Sequence, residues 1–286
     1  MKGVLDPHPT PPNVRHLLRK HDLRPDKRYG QNFLTDPHAL AKVVHAAELQ
    51  GDEPVLEIGA GLGSLTCWLA QNARRVVAVE LDERLLPALR ETVQGLHNVQ
   101  VVAGDILKLD AGSLFVPEPY VVVANIPYNI TSALIRQLIE TPHRAERLIL
   151  TVQREVAERI LAGPGAMNLL ALSVQLFGHP EITARIPAGA FYPKPNVDSA
   201  VLRIRFHTES RAALDLIDPI FRLARAGFQQ KRKKLRNSLA ALPRVDKEQV
   251  ETFFKAAGLS PDLRPQQLSV EDWVTLAGLW SETPAS

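Results

Sequence analysis

The sequence predicts an α/β protein in which a parallel sheet carries helices on both faces and is followed by a small domain made only of helices. Three observations carry that reading. Short apolar runs alternate with helix-length stretches from about residue 36 to residue 161, the pattern of successive βαβ units. A glycine-rich turn, Gly59-Ala60-Gly61-Leu62-Gly63, follows the first of those runs. After about His207 the strand signals stop and every remaining periodic stretch is helical.

Asp36-Pro37 opens the first helix of the alternating part, with a capping acid followed by proline at the first helical position, and the helix runs to about Leu49. Strands are expected at Pro54–Ile58, Arg75–Val79, Val99–Ala103 and Tyr120–Ala124, with helices near Ser64–Gln71 and Asp82–Gln94 between them. A helix near Ser132–Glu140, a strand near Leu148–Val152 and a helix near Arg154–Leu161 follow. Ile182–Ile186 and Ala200–Phe206 read as strands without a helix between them, a hairpin-like antiparallel addition at the sheet edge. Asp215–Phe228, Gln230–Leu239, Lys247–Ala257 and Val270–Trp280 read as helices, the last with a Ser269/Asp272 cap. The expected division is therefore 1–207, with a basic extension over about 1–30, and 208–286.

The composition excludes several classes. With 286 residues, 45% apolar and 23% charged, the chain has the profile of a globular protein. No stretch nears the roughly 18 apolar residues of a membrane span. Met1–Val14 lacks the apolar centre of a signal peptide, so a cytoplasmic protein with no membrane partner is expected. One cysteine, Cys67, cannot form an internal disulfide, and the nine histidines show no paired ligand spacing, so no metal is expected. The net charge of +3 is less informative than its distribution. Six Lys/Arg fall between Arg15 and Arg28, and seven between Arg222 and Arg236, where no acid occurs from Pro219 to Val245. Each run alone reads as a solvated helix face; two in one chain point to a polyanion.

The G-x-G-x-G turn after the first strand lets backbone approach a ligand at the carboxyl edge of the sheet, although glycine also serves tight turns for steric reasons alone. Glu80 ends the second strand, placed for the two hydroxyls of a ribose, Asp105 ends the third, placed for an adenine amino group, and Asn125 ends the fourth. Acids at strand ends can be plain helix caps, but polar groups at four successive strand ends around one glycine loop favour an adenosine ligand. The loop has no phosphate-gripping lysine, so S-adenosylmethionine suits it better than a nucleoside triphosphate.

Asn125-Ile126-Pro127-Tyr128 is the sharpest local signal for chemistry. The lone pair of an adenine amine is delocalised into its ring, and acceptors aimed at its two N–H groups localise it; the Asn125 oxygen and the Ile126 carbonyl could be those acceptors. Pro127 stiffens the turn and Tyr128 could stack on an extruded base. Phe191-Tyr192-Pro193-Lys194-Pro195-Asn196-Val197 could cover the other base face with Phe191 and meet phosphate with Lys194, or be a rigid connection with a buried Phe. Ser64 and Thr66 lack a His/Asp partner pattern, and Cys67 reads as a small buried residue, so no covalent intermediate is expected.

On these motifs the chain resembles the ribosomal RNA adenine dimethyltransferases of the KsgA (RsmA) type. The resemblance runs from about Leu23 to Leu279 and rests on Lys27–Leu34, Glu57–Gly63, Glu80, Gly104-Asp105, Asn125–Tyr128, Phe191–Ser199 and Phe228–Leu239. It implies a Rossmann-like sheet using S-adenosylmethionine plus a small helical RNA-binding domain, and transfer of four methyls to two adjacent adenines in the 3′-terminal hairpin of 16S rRNA. It also implies a late assembly role on the immature small ribosomal subunit, here as a monomer. Carried over by motif, Asn32 and Leu34 flank the methionine part of the cofactor, with Glu57, Gly59 and Gly61 along the loop, Glu80 at the ribose, Asp105 at the adenine and Asn125 between cofactor and amine. Lys194, Arg222, Lys231, Arg232 and Lys233 are the candidates for RNA. The chain departs from the pattern at Leu62, in NIPY where many relatives have NLPY, and in Gln229-Gln230-Lys231-Arg232; no departure removes an acceptor or the stacking ring. Two other readings are the erythromycin-resistance methylases of large-subunit rRNA, which the run Phe228–Leu239 argues against, and a catalytically dead RNA-binding factor, which intact Glu57, Glu80, Asp105 and Asn125 argue against.

Overall fold

The computed structural model describes residues 11–115, 117–127, 130–242 and 246–281. The elements in chain order are α1 (Val14–Lys20), β1 (Phe33–Leu34), α2 (Pro37–Ala47), β2 (Pro54–Ile58), α3 (Ser64–Ala70), β3 (Arg75–Glu80), α4 (Leu86–Thr92), β4 (Val99–Ala103), β5 (Val121–Asn125) and α5 (Thr131–Glu140). They continue with β6 (Arg147–Gln153), α6 (Arg154–Ile160), α7 (Leu169–Gln175), β7 (Gly178–Ile186), β8 (Phe191–Tyr192), β9 (Ser199–Phe206), α8 (Ile217–Gln229), α9 (Leu235–Leu239), α10 (Lys247–Ala256) and α11 (Val270–Ser281).

Seven strands form one mixed sheet in the order β4-β3-β2-β5-β6-β9-β7. The pairs β3/β4, β2/β3, β2/β5 and β5/β6 are parallel, and β6/β9 is antiparallel. The central strands are mainly apolar because helices cover both faces: Val55, Leu56, Val76, Val77 and Val121–Ala124 are inaccessible to solvent. The chain leaves β2 toward β3 on one side and later returns to β5 on the other. The order of the sheet thus reverses between β2 and β5, which opens a crevice at their carboxyl ends.

Helix α2 shows how sequence fixes a boundary. The Asp36 carboxylate accepts from Ala39 N at 2.8 Å, and the helix stops at Glu48, a left-handed residue with φ 50°. Arg147 donates to Ala47 O at 2.8 Å, Arg203 donates to Ala46 O at 3.3 Å, and Arg203 and Arg205 pair with the Glu48 carboxylate. Three guanidinium groups therefore satisfy the last carbonyls and hold the unfavourable turn.

The first basic run folds as α1, whose Val14, Leu17 and Leu18 form a small apolar cluster with Phe33, Leu62, Leu85 and Ala88. Its charges are partly neutralised: Lys20 pairs with Glu91 at 2.6 Å and Arg28 with Asp26 at 2.7 Å.

The chain divides into two compact units, residues 1–157 with 181–205 and residues 158–180 with 206–286. This differs from a single cut near 207, because the stretch containing α7, which shows no clear helical signal, joins the helical unit: Met167, Ala171, Leu172 and Leu176 share a core with Phe221, Phe254 and Trp273. A second difference lies at Gln230–Leu239. Only Leu235–Leu239 is helical, and Lys233 N donates to Gln230 O at 2.8 Å in a turn. Four consecutive cations repel along a helix, and Leu235 packs so close to Gly227 that a Cβ there would lie 2.7 Å from its Cδ1. A third is the short sheet pairing Phe33 with Tyr192 and Leu34 with Phe191, which joins residues separated by 159 and 157 positions and has no local signature.

Candidate functional site

A cleft of about 800 Å³ opens at the carboxyl ends of β2, β3 and β5. Its polar lining includes Asn32, Glu80, Asp105 and Asn125, and its apolar lining includes Leu81, Ile106 and Ile130. A smaller cavity of about 320 Å³ shares Gly59, Gly61 and Asn125 with it and adds Leu34, Glu57 and Ser64. All eight residues expected around the cofactor line one of the two cavities, as do Ile126 and Pro127. Tyr128 lies outside the described residues.

Phe191 does not line either cavity. It is 4% exposed and belongs to the main core with Leu34, Ile186 and Ala190, because β8 turns it inward where it pairs with β1. Its neighbour Tyr192 is half-buried, with the Arg15 guanidinium 4.8 Å from its ring centroid. The alternative of a rigid connection with a buried Phe anchor is the one this structure takes.

Glycine is required at the loop by conformation and by space. Gly61 has φ 59°, and a Cβ there would lie 3.0 Å from Phe33 Cδ1. Its N–H donates to Glu80 Oε2 at 2.7 Å, while Asp82 N donates to Glu80 Oε1 at 2.8 Å. Two main-chain donors thus fix the carboxylate and leave lone pairs on both oxygens facing the cleft. Burial raises the Glu80 carboxyl above its ordinary value and the two amides act against that rise. Asp105 accepts from Leu107 N at 3.0 Å, so it is a turn former as well as a cleft acid.

Glu57 is 1% exposed and its Oε2 has no hydrogen-bond partner; the buried Ser64 hydroxyl beside it in the smaller cavity also has none. Burial, with the nearby Glu80 charge second, pushes the Glu57 carboxyl up to about 8. Its unpartnered oxygen is a buried acceptor suited to a polar or positive group.

The segment before β1 reaches the site through a hydrogen-bonded brace. Gln31 Nε2 donates to Asp82 Oδ2 at 2.7 Å and its Oε1 accepts from Asp26 N at 2.8 Å. Arg84 holds Asp82 at 2.6 Å and reaches Asp26 at 3.4 Å, and Arg28 keeps the Asp26 carboxyl down at about 2. The brace delivers the Asn32 carbonyl to Asn125, whose Nδ2 donates to it at 3.0 Å. That contact decides the amide orientation: Asn125 Oδ1 faces the cleft and accepts nothing among the described residues. The Ile126 N–H donates to Thr151 O at 3.1 Å, which fixes the turn and leaves the Ile126 carbonyl without a donor among the described residues.

The sequence profile of ribosomal RNA adenine dimethylases matches residues 23–281. The chain belongs to the ribosomal RNA adenine dimethylase family. Within it, the ribosomal RNA small subunit methyltransferase A of Dehalococcoides mccartyi is 39% identical over 272 residues, 95% of this chain and 94% of that protein. The protein of the same description from Moorella thermoacetica is 39% identical over 284 residues, 96% and 98% of the two chains. Among solved structures, a dimethyladenosine transferase from Plasmodium falciparum superposes with TM-score 0.76 at 26% identity, covering 88% of this chain and 98% of that one. The 23S rRNA methyltransferase ErmE superposes with TM-score 0.70 at 30% identity, covering 88% and 100%.

For a dimethylase, the charges outside the cleft matter as well. Lys194, Arg222, Lys231, Arg232 and Lys233 are all exposed, and none has a carboxylate partner among the described residues. Lys234 and Arg236 differ: Lys234 pairs with Asp262 at 2.8 Å and Arg236 with Glu251 at 3.0 Å, so they hold the helical unit together. Among the described residues no group of three or more His, Cys, Asp or Glu is arranged to hold a metal, and no helix is long and apolar enough to cross a membrane.

Proposed function

We propose that this chain transfers methyl groups from S-adenosylmethionine to the N6 atoms of two adjacent adenines in the 3′-terminal hairpin of 16S rRNA, acting as a monomer on the immature small ribosomal subunit. The observation that carries the reading is the pair of unclaimed acceptors, Asn125 Oδ1 and the Ile126 carbonyl, at the end of the cleft that holds Glu80 and Asp105.

The residues fit the cofactor. Glu80 offers two fixed oxygens to a ribose, Asp105 with Leu81 and Ile106 suits an adenine ring, and Gly59 and Gly61 bring main chain to the cleft wall, a Cβ on Gly61 being excluded by Phe33. The orphaned Glu57 oxygen and Ser64 hydroxyl mark the place for a charged amino-acid end. S-adenosylmethionine supplies an electrophilic methyl on a sulfonium. The protein's part is positional: Asn125 Oδ1 and the Ile126 carbonyl each accept one N–H of the adenine amine and draw its lone pair out of ring conjugation toward the methyl. When bound, the sulfonium would supply the methyl and depart as the neutral thioether, S-adenosylhomocysteine; Asn125 Oδ1 and the Ile126 carbonyl would stabilise the positive charge on the amine nitrogen until its proton passes to water. After the first transfer one N–H remains, so the second transfer uses one acceptor.

The deciding experiment incubates the protein with radiolabelled S-adenosylmethionine and small subunits lacking these methyl groups, with large subunits in parallel. Label on adjacent adenines near the 3′ end of small-subunit rRNA is expected. Label on large-subunit rRNA alone would move the chain to the class of ErmE, and no label despite cofactor binding would leave an assembly factor without catalysis.

A further inference from the structure

Helix α8 buries Ile220, Phe221, Leu223, Ala224 and Gly227 in the helical unit. Its other face repeats at helical spacing as Asp218, Arg222, Arg225 and Gln229, and these four side chains form one wall of a groove of about 920 Å³. Leu242 and Trp280 also line it. Arg222 and Arg225 are exposed and have no carboxylate partner among the described residues. Arg225 is aimed rather than loose: its Nε donates to Phe221 O at 3.1 Å and its guanidinium stands 5.9 Å from the Phe221 ring centroid. Trp280 is half-buried, with Phe253 6.3 Å away and tilted. The other two tryptophans, Trp68 and Trp273, are 2% and 0% exposed.

We propose that this groove takes a single unpaired nucleotide of the RNA substrate, with its base against Trp280 and its flanking phosphates at Arg222 and Arg225. The proposal rests on the rRNA reading above and adds a second point of contact far along the sequence from Asn125. Unpaired nucleotides are held by an aromatic platform beside fixed cations, because every base has a stackable face and every phosphate a charge. The groove supplies both. Gln229 adds an amide that pairs with a base edge, and Asp218 at the opposite end of the stripe accepts from an amino or hydroxyl group. The unpaired cations Lys231, Arg232 and Lys233 begin two residues after Gln229, so the positive surface continues along the chain beyond the groove. An acidic peptide would use the cations but leave the ring idle, and duplex RNA would have no free base for it.

The test uses tryptophan emission of the full chain, titrated with an unstructured oligoribonucleotide and with undermethylated small subunits. Since Trp68 and Trp273 are buried, quenching by RNA is expected to come from Trp280 and to vanish in Trp280→Phe, with the circular dichroism of the variant unchanged. Arg222→Ala with Arg225→Ala is expected to weaken subunit binding about tenfold or more and to lower the salt slope by about 2, with Lys at both positions restoring most of the slope. RNA binding without quenching, quenching that persists in Trp280→Phe, or full affinity in the double alanine variant overturns the groove while leaving methylation intact. A wild-type chain that neither binds nor methylates rRNA overturns the underlying reading instead.

Discussion

Asn125 performs two tasks with one amide, and each is assigned to a particular atom. Nδ2 is spent on the Asn32 carbonyl at 3.0 Å, and Oδ1 is the acceptor that the proposed reaction assigns to the substrate. Asn125→Ala removes an acceptor but no cofactor-holding carboxylate, so single-turnover transfer is expected to fall about 10²- to 10³-fold while calorimetric affinity for S-adenosylmethionine changes less than about threefold. Unchanged turnover would remove Asn125 from the chemistry. Glu57 makes a different prediction. Its carboxyl is raised from an ordinary 4.5 to about 8 by burial, so folding favours its protonated form. That contribution is whole below the unfolded value of 4.5, declines as pH rises from there, and is gone above about 8. The stability of the wild type minus that of Glu57→Gln is therefore expected to fall between pH 5 and pH 8, by at most about 1.4 kcal/mol per pH unit. Urea midpoints of both proteins across that range measure it; a constant difference would show Glu57 ionised throughout. Side chains such as Glu57, Glu80, Asp105 and Asn125 were legible in the sequence because a strand end announces its place in a parallel sheet. The Asn32 carbonyl was not, since a main-chain oxygen leaves no mark in the residue type, and Phe191 stayed open between two readings because an aromatic beside prolines looks the same whether it faces a base or a core.

At the scale of elements, the short segment from Asp26 to Leu34 does work out of proportion to its secondary structure. Gln31 spans Asp26 and Asp82, and Asp82 N in turn holds Glu80, so the Glu80 carboxylate and the Asn125 amide share one hydrogen-bonded support. Gln31→Leu cuts both ends of the brace and removes one polar side chain from the cleft lining, while Glu80, Asp105 and Asn125 are themselves unaltered. It is expected to raise the KM for S-adenosylmethionine and lower kcat together, each by about tenfold; a change in thermal stability with both constants unaltered would make Gln31 a structural residue only. The regular elements were readable from sequence: Pro54–Ile58 and Val99–Ala103 are strands with the expected ends, and α2 starts at its Asp36 cap. Those that were not readable depend on distant partners. The β1/β8 pair joins residues 33 and 192, and the basic stretch after Gln230 becomes a turn because Leu235 is drawn into the core of the helical unit.

For the whole molecule, the net charge of +3 understates how the protein presents itself to RNA. Carboxylates pair with Lys20, Arg28, Lys234 and Arg236, while Lys231, Arg232 and Lys233 have no carboxylate partner among the described residues. Replacing these three with alanine is expected to lower the slope of log affinity against log salt for small subunits by about 2 to 3 without changing cofactor affinity. Filter binding at 50 to 200 mM salt measures it, and an unaltered slope would leave those cations as solvated turn residues.

The helical unit is assembled from two stretches, 158–180 and 206–286, with two strands of the sheet made in between. This has a consequence for how the protein is born and how it can be cut. During synthesis α7 emerges about a hundred residues before Trp273 and Leu276, the partners that complete its core, so Met167, Ala171 and Leu172 wait uncovered while the chain lengthens. A truncation after Arg205 strands those same side chains in water, and an exchange of the C-terminal part between relatives keeps this core whole only when residues 158–180 travel with it.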